Sequence, residues 1–328
     1  MPTSSSENWG TISKILIVRL DGIGDALVCT PLIAALRDAG HAVGMALSDR
    51  NRDIFAPGVL YARHVLDRIP WPRHGSTAES TRIARARIEA AGYEVALIAS
   101  EEPEAYALAR GIPQRVGFTT GWAKPLKSLW VRRKLTRRVK RAATIGGERA
   151  HEAQIIFRLA EGLGLHGEAA PTRDPARLRP LILADPPPPG EHIVVQLGQK
   201  WAAIGLDPAT AGTIVSALAA RGAQLVASRA EQADAAQVSA GAAFIVCRDL
   251  AQWKRVIGGA RLVVTPDTGA AHLAGMLGIP VIDCFPDADA PAQIARWHPW
   301  AAPYTAFLAG DLRGGAGVAR IERAVDAL

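Results

Sequence analysis

Two residues equipped for chemistry, Asp25 and His272, each stand at a glycine turn between an apolar run and a helix-like run. The first turn lies in ILIVRLDGIGDALVCTPLIAALR, Ile15 to Arg37, and the second in LVVTPDTGAAHLAGMLGIPVIDCFP, Leu262 to Pro286. A strand, a tight turn and a helix start place such residues at the carboxyl edge of a parallel sheet, where α/β proteins bind ligands. At its helix start, Asp25 reads as an N-capping carboxylate, as a general base facing a cleft, or as both. The helix dipole would hold it ionised. Asp267, Thr268 and Gly269 cap the other helix, whose opening N–H groups form an anion site. His272 falls in the first turn of that helix, within reach of the same anion. A histidine simply packed on the helix is the plainer alternative.

Other chemistries fit these turns less well. DGIGDAL has part of a dinucleotide fingerprint, but Leu27 holds the third glycine position. Ala46-Leu47-Ser48 stands where an acid should close the second strand, so a nicotinamide oxidoreductase is disfavoured. No Walker lysine follows Gly269. Asp287-Ala288-Asp289 has the DxD form of some sugar transferases, yet no ligand set accompanies it, and no metal is expected. Cys29, Cys247 and Cys284 make neither a metal spacing nor a disulfide framework. Cys29 and Cys284 read as core residues.

The elements that must position these turns alternate as in a parallel α/β protein. A length of 328 residues accommodates two domains. In the first half, strands are expected at Lys14–Leu20, Ala42–Leu47 and Val95–Ala99, with a short one in GIPQRVGF, Gly111 to Phe118. Helices are expected over Asp25–Ala39 and His151–Leu165, closed by Gly40 and Gly164. RLRPLILADPPPPGEH, Arg179 to His192, reads as a linker because four consecutive prolines oppose helix and central strand. A second series follows, with strands at Ile193–Leu197, Gln224–Ala227, Phe244–Val246, Leu262–Thr265 and Val281–Phe285. Its helices are Pro208–Arg221, Glu231–Gly241, Leu250–Gly258 and Ala270–Leu277, with Val318–Leu328 closing the chain. The division is 1–180 for an N-terminal α/β domain, 181–190 for the linker, 191–310 for a second α/β domain and 311–328 for the last helix.

Charge is distributed unevenly. Net charge is +7, and Arg115 to Arg149 holds eleven Lys/Arg against one acid, Glu148. RRKLTRRVKR, Arg132 to Arg141, is densest. Such a block suits an anionic partner (nucleic acid, anionic lipid or a phosphorylated substrate), or is a solvated face. No nucleic-acid motif accompanies it. Tyr106, Phe118, Trp122, Trp130 and Phe157 flank or interrupt it, with Phe118 and Phe157 expected in the core. No run approaches the roughly 18 to 20 apolar residues of a membrane span. MPTSSSENWGTISK lacks a secretory pattern, so a cytoplasmic location is expected.

The ordered motifs resemble the ADP-heptose:lipopolysaccharide heptosyltransferases, glycosyltransferase family 9. Arg19, Gly24 and Asp25 match its R-x-S-x-x-G-D opening, with Asp21 where Ser is usual. GIPQRVGF matches its G-I-P-x-R-x-G-F, and HEAQIIFRLAEGLGL resembles the helix before its crossover. Ser228-Arg229-Ala230-Glu231 stands at its G-x-x-E, and Asp267-Thr268-Gly269 with His272 matches D-[TS]-G-x-x-H. Phe285 to Pro299 resembles its closing F-G-P-T-D-P-x-x-W-x-P loop. The resemblance implies a GT-B fold, two Rossmann-like α/β domains facing across a cleft. It implies an inverting, metal-independent transferase with no cofactor beyond an ADP-sugar donor. Asp25 would be the base; Thr268, Gly269 and His272 would hold the donor pyrophosphate, Asp267 would be a further donor-site residue, and Glu231 would bind the nucleoside.

Lys200 stands beside the position of a phosphate lysine, which a shifted register would give to Ile204 or Gly205. The expected acceptor is an anionic glycolipid of the Kdo–lipid A type. Gly24, Arg115, Arg132, Arg133, Arg137 and Arg138 are its expected contacts, and the cytosolic face of the inner membrane a peripheral one. Two alternatives stay open: a transferase acting on a protein or another glycan, and a non-catalytic binder of ADP-sugars or anionic lipid.

Overall fold

The computed structural model describes residues 12–69, 75–119, 125–161, 163–188 and 190–328. The first sheet contains β1 (Lys14–Val18), β2 (Ala42–Ser48), β3 (Arg63–Leu66), β4 (Val95–Ile98), β5 (Gln114–Thr119) and β6 (Arg137–Lys140). All are parallel, in the order β3-β2-β1-β4-β5-β6. A small hairpin, β7 (Thr144–Ile145) and β8 (Glu148–Arg149), follows. The second sheet contains β9 (Ile193–Gln196), β10 (Gln224–Ser228), β11 (Ile245–Cys247), β12 (Leu262–Pro266), β13 (Val281–Phe285) and β14 (Tyr304–Leu308). It repeats the topology as β11-β10-β9-β12-β13-β14, again parallel. Each sheet therefore reverses direction of winding beside its first strand, at β1/β4 and β9/β12. A crevice opens at the carboxyl ends of strands at such a point.

The helices of the first half are α1 (Ile23–Leu27), α2 (Thr30–Asp38), α3 (Ala78–Ala91), α4 (Pro103–Leu108), α5 (Pro125–Arg132), α6 (Glu152–Phe157) and α7 (Pro175–Ile182). Those of the second are α8 (Lys200–Ala203), α9 (Pro208–Ala220), α10 (Gln232–Val238), α11 (Leu250–Gly258), α12 (Gly269–Leu277), α13 (Ala290–Trp297), α14 (Ala309–Leu312) and α15 (Ala316–Ala327).

Three sequence expectations are corrected. The single helix over Asp25–Ala39 is two, because Pro31 sits in the first turn of α2 and cannot continue a helix from α1. His151–Leu165 is helical only through α6, then turns. The proline segment does not open as linker: α7 runs through Pro180 to Ile182, and Leu181, Ile182 and Leu183 are buried. Strands β3, β6 and β14 and helix α3 were not foreseen. The first three are short edge or near-edge strands, and β6, RRVK, shows no apolar run. Helix α3 turns only Ser80, Ala84 and Ile88 inward, too thin a stripe to stand out.

The linker parts the sequence but not the packing. One continuous apolar core contains Ile15 and Ile17 of β1 together with Val194 of β9, Val263 of β12 and most of α12. Helix α7 lies between α2 and α12. Two outer cores flank this one, one for each domain. Cys29, Cys284, Phe118 and Phe157 are buried as expected. Trp122 falls outside the described residues. Helix α15 packs on α9 and β13 and closes the second domain's outer core with Ile321, Ala324 and Val325. Lys254 of α11 crosses the seam. Its Nζ donates to the carbonyls of Asp53 (2.8 Å), Ile54 (3.0 Å) and Ile182 (3.0 Å). Burial lowers its pKa to about 8.

Buried histidines make this fold sensitive to acid. Burial, assisted by the Arg87 cation, moves His64 from the usual 6.5 to about 4, and burial lowers His151 and His272 as well. His64 Nε2 pairs with the Tyr93 hydroxyl at 2.8 Å. Such a group stays neutral in the fold while the unfolded chain takes up a proton. Its stabilisation is therefore present above the unfolded value and is lost as pH falls through it. The melting temperature is expected to drop between pH 6.5 and pH 4. His64→Gln, which keeps a partner for Tyr93, should flatten that slope in a calorimetric pH series; an unchanged slope would refute the assignment to His64.

Candidate active site

The first glycine turn leaves β1 at Arg19 and is fixed from below. Asn51 Nδ2 donates to the carbonyls of Asp21 (3.0 Å) and Gly22 (3.2 Å), and Asn51 Oδ1 accepts from Ser48 N–H at 2.9 Å. Asp21, where the resembled family has Ser, accepts from the Ser100 hydroxyl at 2.7 Å and faces Arg19 Nε at 3.2 Å. Burial raises the Asp21 pKa, against the pull of Arg19. Asp25 is the third residue of α1 rather than its N-cap, which is Gly22. Its Oδ2 accepts from Gly22 N–H at 3.1 Å and its Oδ1 from Arg19. Its side chain remains about one-third exposed, at 31%.

Arg19 is almost wholly buried and also donates to the Ala99 carbonyl. Behind it lies Glu152, with no exposed surface. Arg141 donates to both Glu152 oxygens at 2.7 Å, Arg296 Nε donates at 2.9 Å, and Arg19 stands 3.6 Å away. These three cations come from the ends of β1 and β6 and from α13 in the second domain. Neither Glu152 nor Arg296 was singled out in the sequence. A lone acid inside the apolar helix EAQIIF was the available signal.

The second glycine turn leaves β12 at Pro266. Thr268 is the N-cap of α12; its Oγ1 accepts from Ala270 N–H at 3.1 Å and pairs with Thr265 Oγ1 at 2.8 Å. Asp267 Oδ1 lies 3.7 Å from His272 Nε2. Burial raises Asp267, opposed by His272 and Lys200. Burial lowers His272 despite the carboxylates of Asp267, Asp25 and Glu152, so the imidazole is neutral near pH 7. The two turns touch across the domains. A Cβ on Gly24 would lie 2.4 Å from His272 Cδ2, so only glycine admits the ring there. Trp297 covers the ring from another side, centroids 5.7 Å apart.

Between the turns lies a cleft of about 640 Å³. Gly22, Ile23 and Arg50 line it from the first domain. Lys200, Glu231, Thr268 and Gly269 line it from the second. Next to Lys200, the Trp201 ring is fully buried and its Nε1 donates to the Gln196 carbonyl at 2.9 Å. Lys200 lines the cleft, whereas Ile204 is buried and Gly205 forms a left-handed turn. Glu231 packs against Gly198, where a Cβ would fall 2.6 Å from Oε1, and accepts from Ser228 Oγ at 3.3 Å. Burial raises its pKa. Asp25 and His272 stand beside the cleft rather than in its lining.

Most of the basic block lies apart from the cleft. Arg115, Arg132, Arg133, Arg137 and Arg138 do not line the cleft. Arg115 and Arg137 lie at the starts of β5 and β6, at the opposite end of the sheet from Asp25. Arg115 is engaged with the carbonyls of Lys134 (2.8 Å) and Ile112 (2.5 Å). Of that block, Arg141 reaches the site, through Glu152. In the DxD segment, Asp287 accepts from Gly310 N–H at 2.7 Å and faces Arg313 at 3.2 Å. Among the described residues, no group of three His, Cys, Asp or Glu is placed to hold a metal ion.

Two six-stranded parallel sheets of this topology, facing across a cleft, form a fold of the GT-B class. More narrowly, residues 199–318 match the model of glycosyltransferase family 9 (heptosyltransferase), so the chain carries that family's domain in its second half. Lys200, Glu231, the Asp267–Gly269 turn and His272 fall inside the match, and Asp25 outside it. The fold is similar to that of Escherichia coli heptosyltransferase WaaC, solved with ADP, at 19% identity and a TM-score of 0.71, covering 96% of this chain and 100% of that one. E. coli ADP-heptose lps heptosyltransferase II gives 14%, 0.68, 96% and 98%. A family 9 glycosyl transferase from Veillonella parvula gives 14%, 0.66, 96% and 90%. No curated protein matches the chain in sequence.

Glu152 supplies a direct test of the site's architecture. Replacing it with Ala leaves three guanidinium groups facing one another, and the expected loss is about 3–5 kcal/mol of stability. Urea unfolding measures it; a loss below about 1 kcal/mol would mean that solvent already screens these charges.

Proposed function

We propose that the chain is an inverting heptosyltransferase that moves heptose from ADP-heptose to the inner core of lipopolysaccharide, on an acceptor of the Kdo–lipid A type. One observation carries the reading. Within the family match, Lys200, Glu231 and the start of α12 line one cleft, facing the Gly22–Asp25 turn of the other domain. Two of the similar structures were solved with ADP and with ADP-2-deoxy-2-fluoro heptose. A diphosphate suits the opening N–H groups of α12 together with Lys200. Asp267 and His272 support that turn from behind, and Glu231 is assigned to the nucleoside.

In this reading Asp25 Oδ2 takes the proton of the acceptor hydroxyl. The hydroxyl oxygen bonds to the anomeric carbon from the face opposite the diphosphate, the carbon–oxygen bond to ADP breaks, and ADP carries away the electron pair. Arg19 and the Gly22 N–H aim the carboxylate. Thr268, Gly269 and Lys200 receive the charge that develops on the leaving group, with His272 behind the turn. No metal or further cofactor is assigned. The site of action is the cytoplasm, with a peripheral contact at the inner membrane.

Calorimetry with ADP-heptose, ADP and UDP, without added metal, tests the donor. ADP should bind at least tenfold more tightly than UDP, and Lys200→Ala should weaken ADP by about tenfold, the loss of one charge-assisted contact. Asp25→Asn should keep donor affinity within about twofold while turnover falls at least a hundredfold. A preference for UDP would overturn the donor; an active Asp25→Asn would overturn the base.

A further inference from the structure

The basic block lies on the outer face of the first domain, where it adjoins an apolar surface. On α5, Leu126 is 83% exposed, Leu129 53% and Trp130 40%. Spacings of three and four residues set these side chains on one helix face, and Arg133 follows in the turn that ends the helix. Trp130 is held edge-on against Tyr106, centroids 5.3 Å apart, and Lys134 Nζ lies 5.6 Å over its ring. Beside it runs a groove of about 410 Å³ between α3, α4 and α5. Arg85, Arg110, Arg115, Arg133 and Lys134 line this groove, and no carboxylate does. Arg85 is paired with Glu89 on its own helix, at 2.9 Å. The other cations face the groove without an acid in its wall.

We infer that α5 and this groove dock the protein on an anionic lipid bilayer. Exposed leucines beside an indole, rimmed by cations, match an interface with hydrocarbon below and phosphate above. Each half of the pattern excludes another occupant. A second copy of this face would set cation against cation. A nucleic acid would satisfy the cations but leave Leu126 and Leu129 without an apolar partner. The surface shares no lining residue with the catalytic cleft. The inference deepens the proposed function, on which it rests for the presence of a lipid acceptor, but it is read by a separate assay.

The test is co-sedimentation of the full chain with vesicles of phosphatidylcholine alone or with phosphatidylglycerol added, at low and high salt. Binding is expected to the anionic vesicles and not to the neutral ones. It should weaken severalfold as salt shortens the screening length. Arg110→Glu with Arg133→Glu should reduce it at least tenfold, and Leu126→Ser with Leu129→Ser severalfold. ADP binding by calorimetry should be unchanged in both variants and shows that they are folded. Equal binding to neutral vesicles would overturn the proposal. So would vesicle binding unaffected by either pair, or loss of duplex DNA binding in these variants without any binding to vesicles. Failure here with ADP binding intact leaves the transferase reading standing; failure of ADP binding with vesicle binding intact does the reverse.

Discussion

The site depends on a buried carboxylate. Glu152 has no contact with water and is held by guanidinium groups from both domains. An isolated charge in that position would be costly; a charge met by Arg141 and Arg296, with Arg19 close behind, is compensated only while all three converge. The same Arg19 binds Asp25 and Asp21. The position of the exposed carboxylate at the first turn is thus fixed through Arg19, and Arg19 through the acids around it. Because Arg296 belongs to α13, this network also registers how the second domain sits against the first.

Close approach is the second constraint. Gly24 and His272 meet where any side chain on Gly24 would intrude. The two glycine turns, far apart in sequence, are in effect one piece of structure. Their strands end at the winding reversal of their own sheets, which is why similar strand–turn–helix units face each other. Burial then sets the protonation states: His272 neutral, Asp267 and Glu231 displaced toward their protonated forms, with Lys200 acting against that displacement.

Much of this was legible in the sequence, because parallel strands buried on both faces leave unbroken apolar runs. KILIV, IVVQ, LVVTP and VIDCF became β1, β9, β12 and β13 within a residue or two. The turns were legible for the same reason, since each directly follows such a run. What was hidden depended on distance. RRVK forms a strand only because β5 offers it an edge, and Glu152 matters only because arginines more than one hundred residues apart reach it. Charge density alone did not locate the basic block: sheet direction carries most of it to the end of the sheet away from Asp25.

The shared core across the seam has a consequence for engineering. In a protein whose domains join by a linker alone, halves can be exchanged between relatives with little penalty. Here Ile15 and Ile17 pack into the same apolar body as Val194, Val263 and α12, and α7 is wedged between α2 and α12. A chimaera that joins this first half to another protein's second half inherits a mismatched interior, not merely a new hinge. A cut placed in the four-proline segment would look natural in the sequence and would still divide a hydrophobic core.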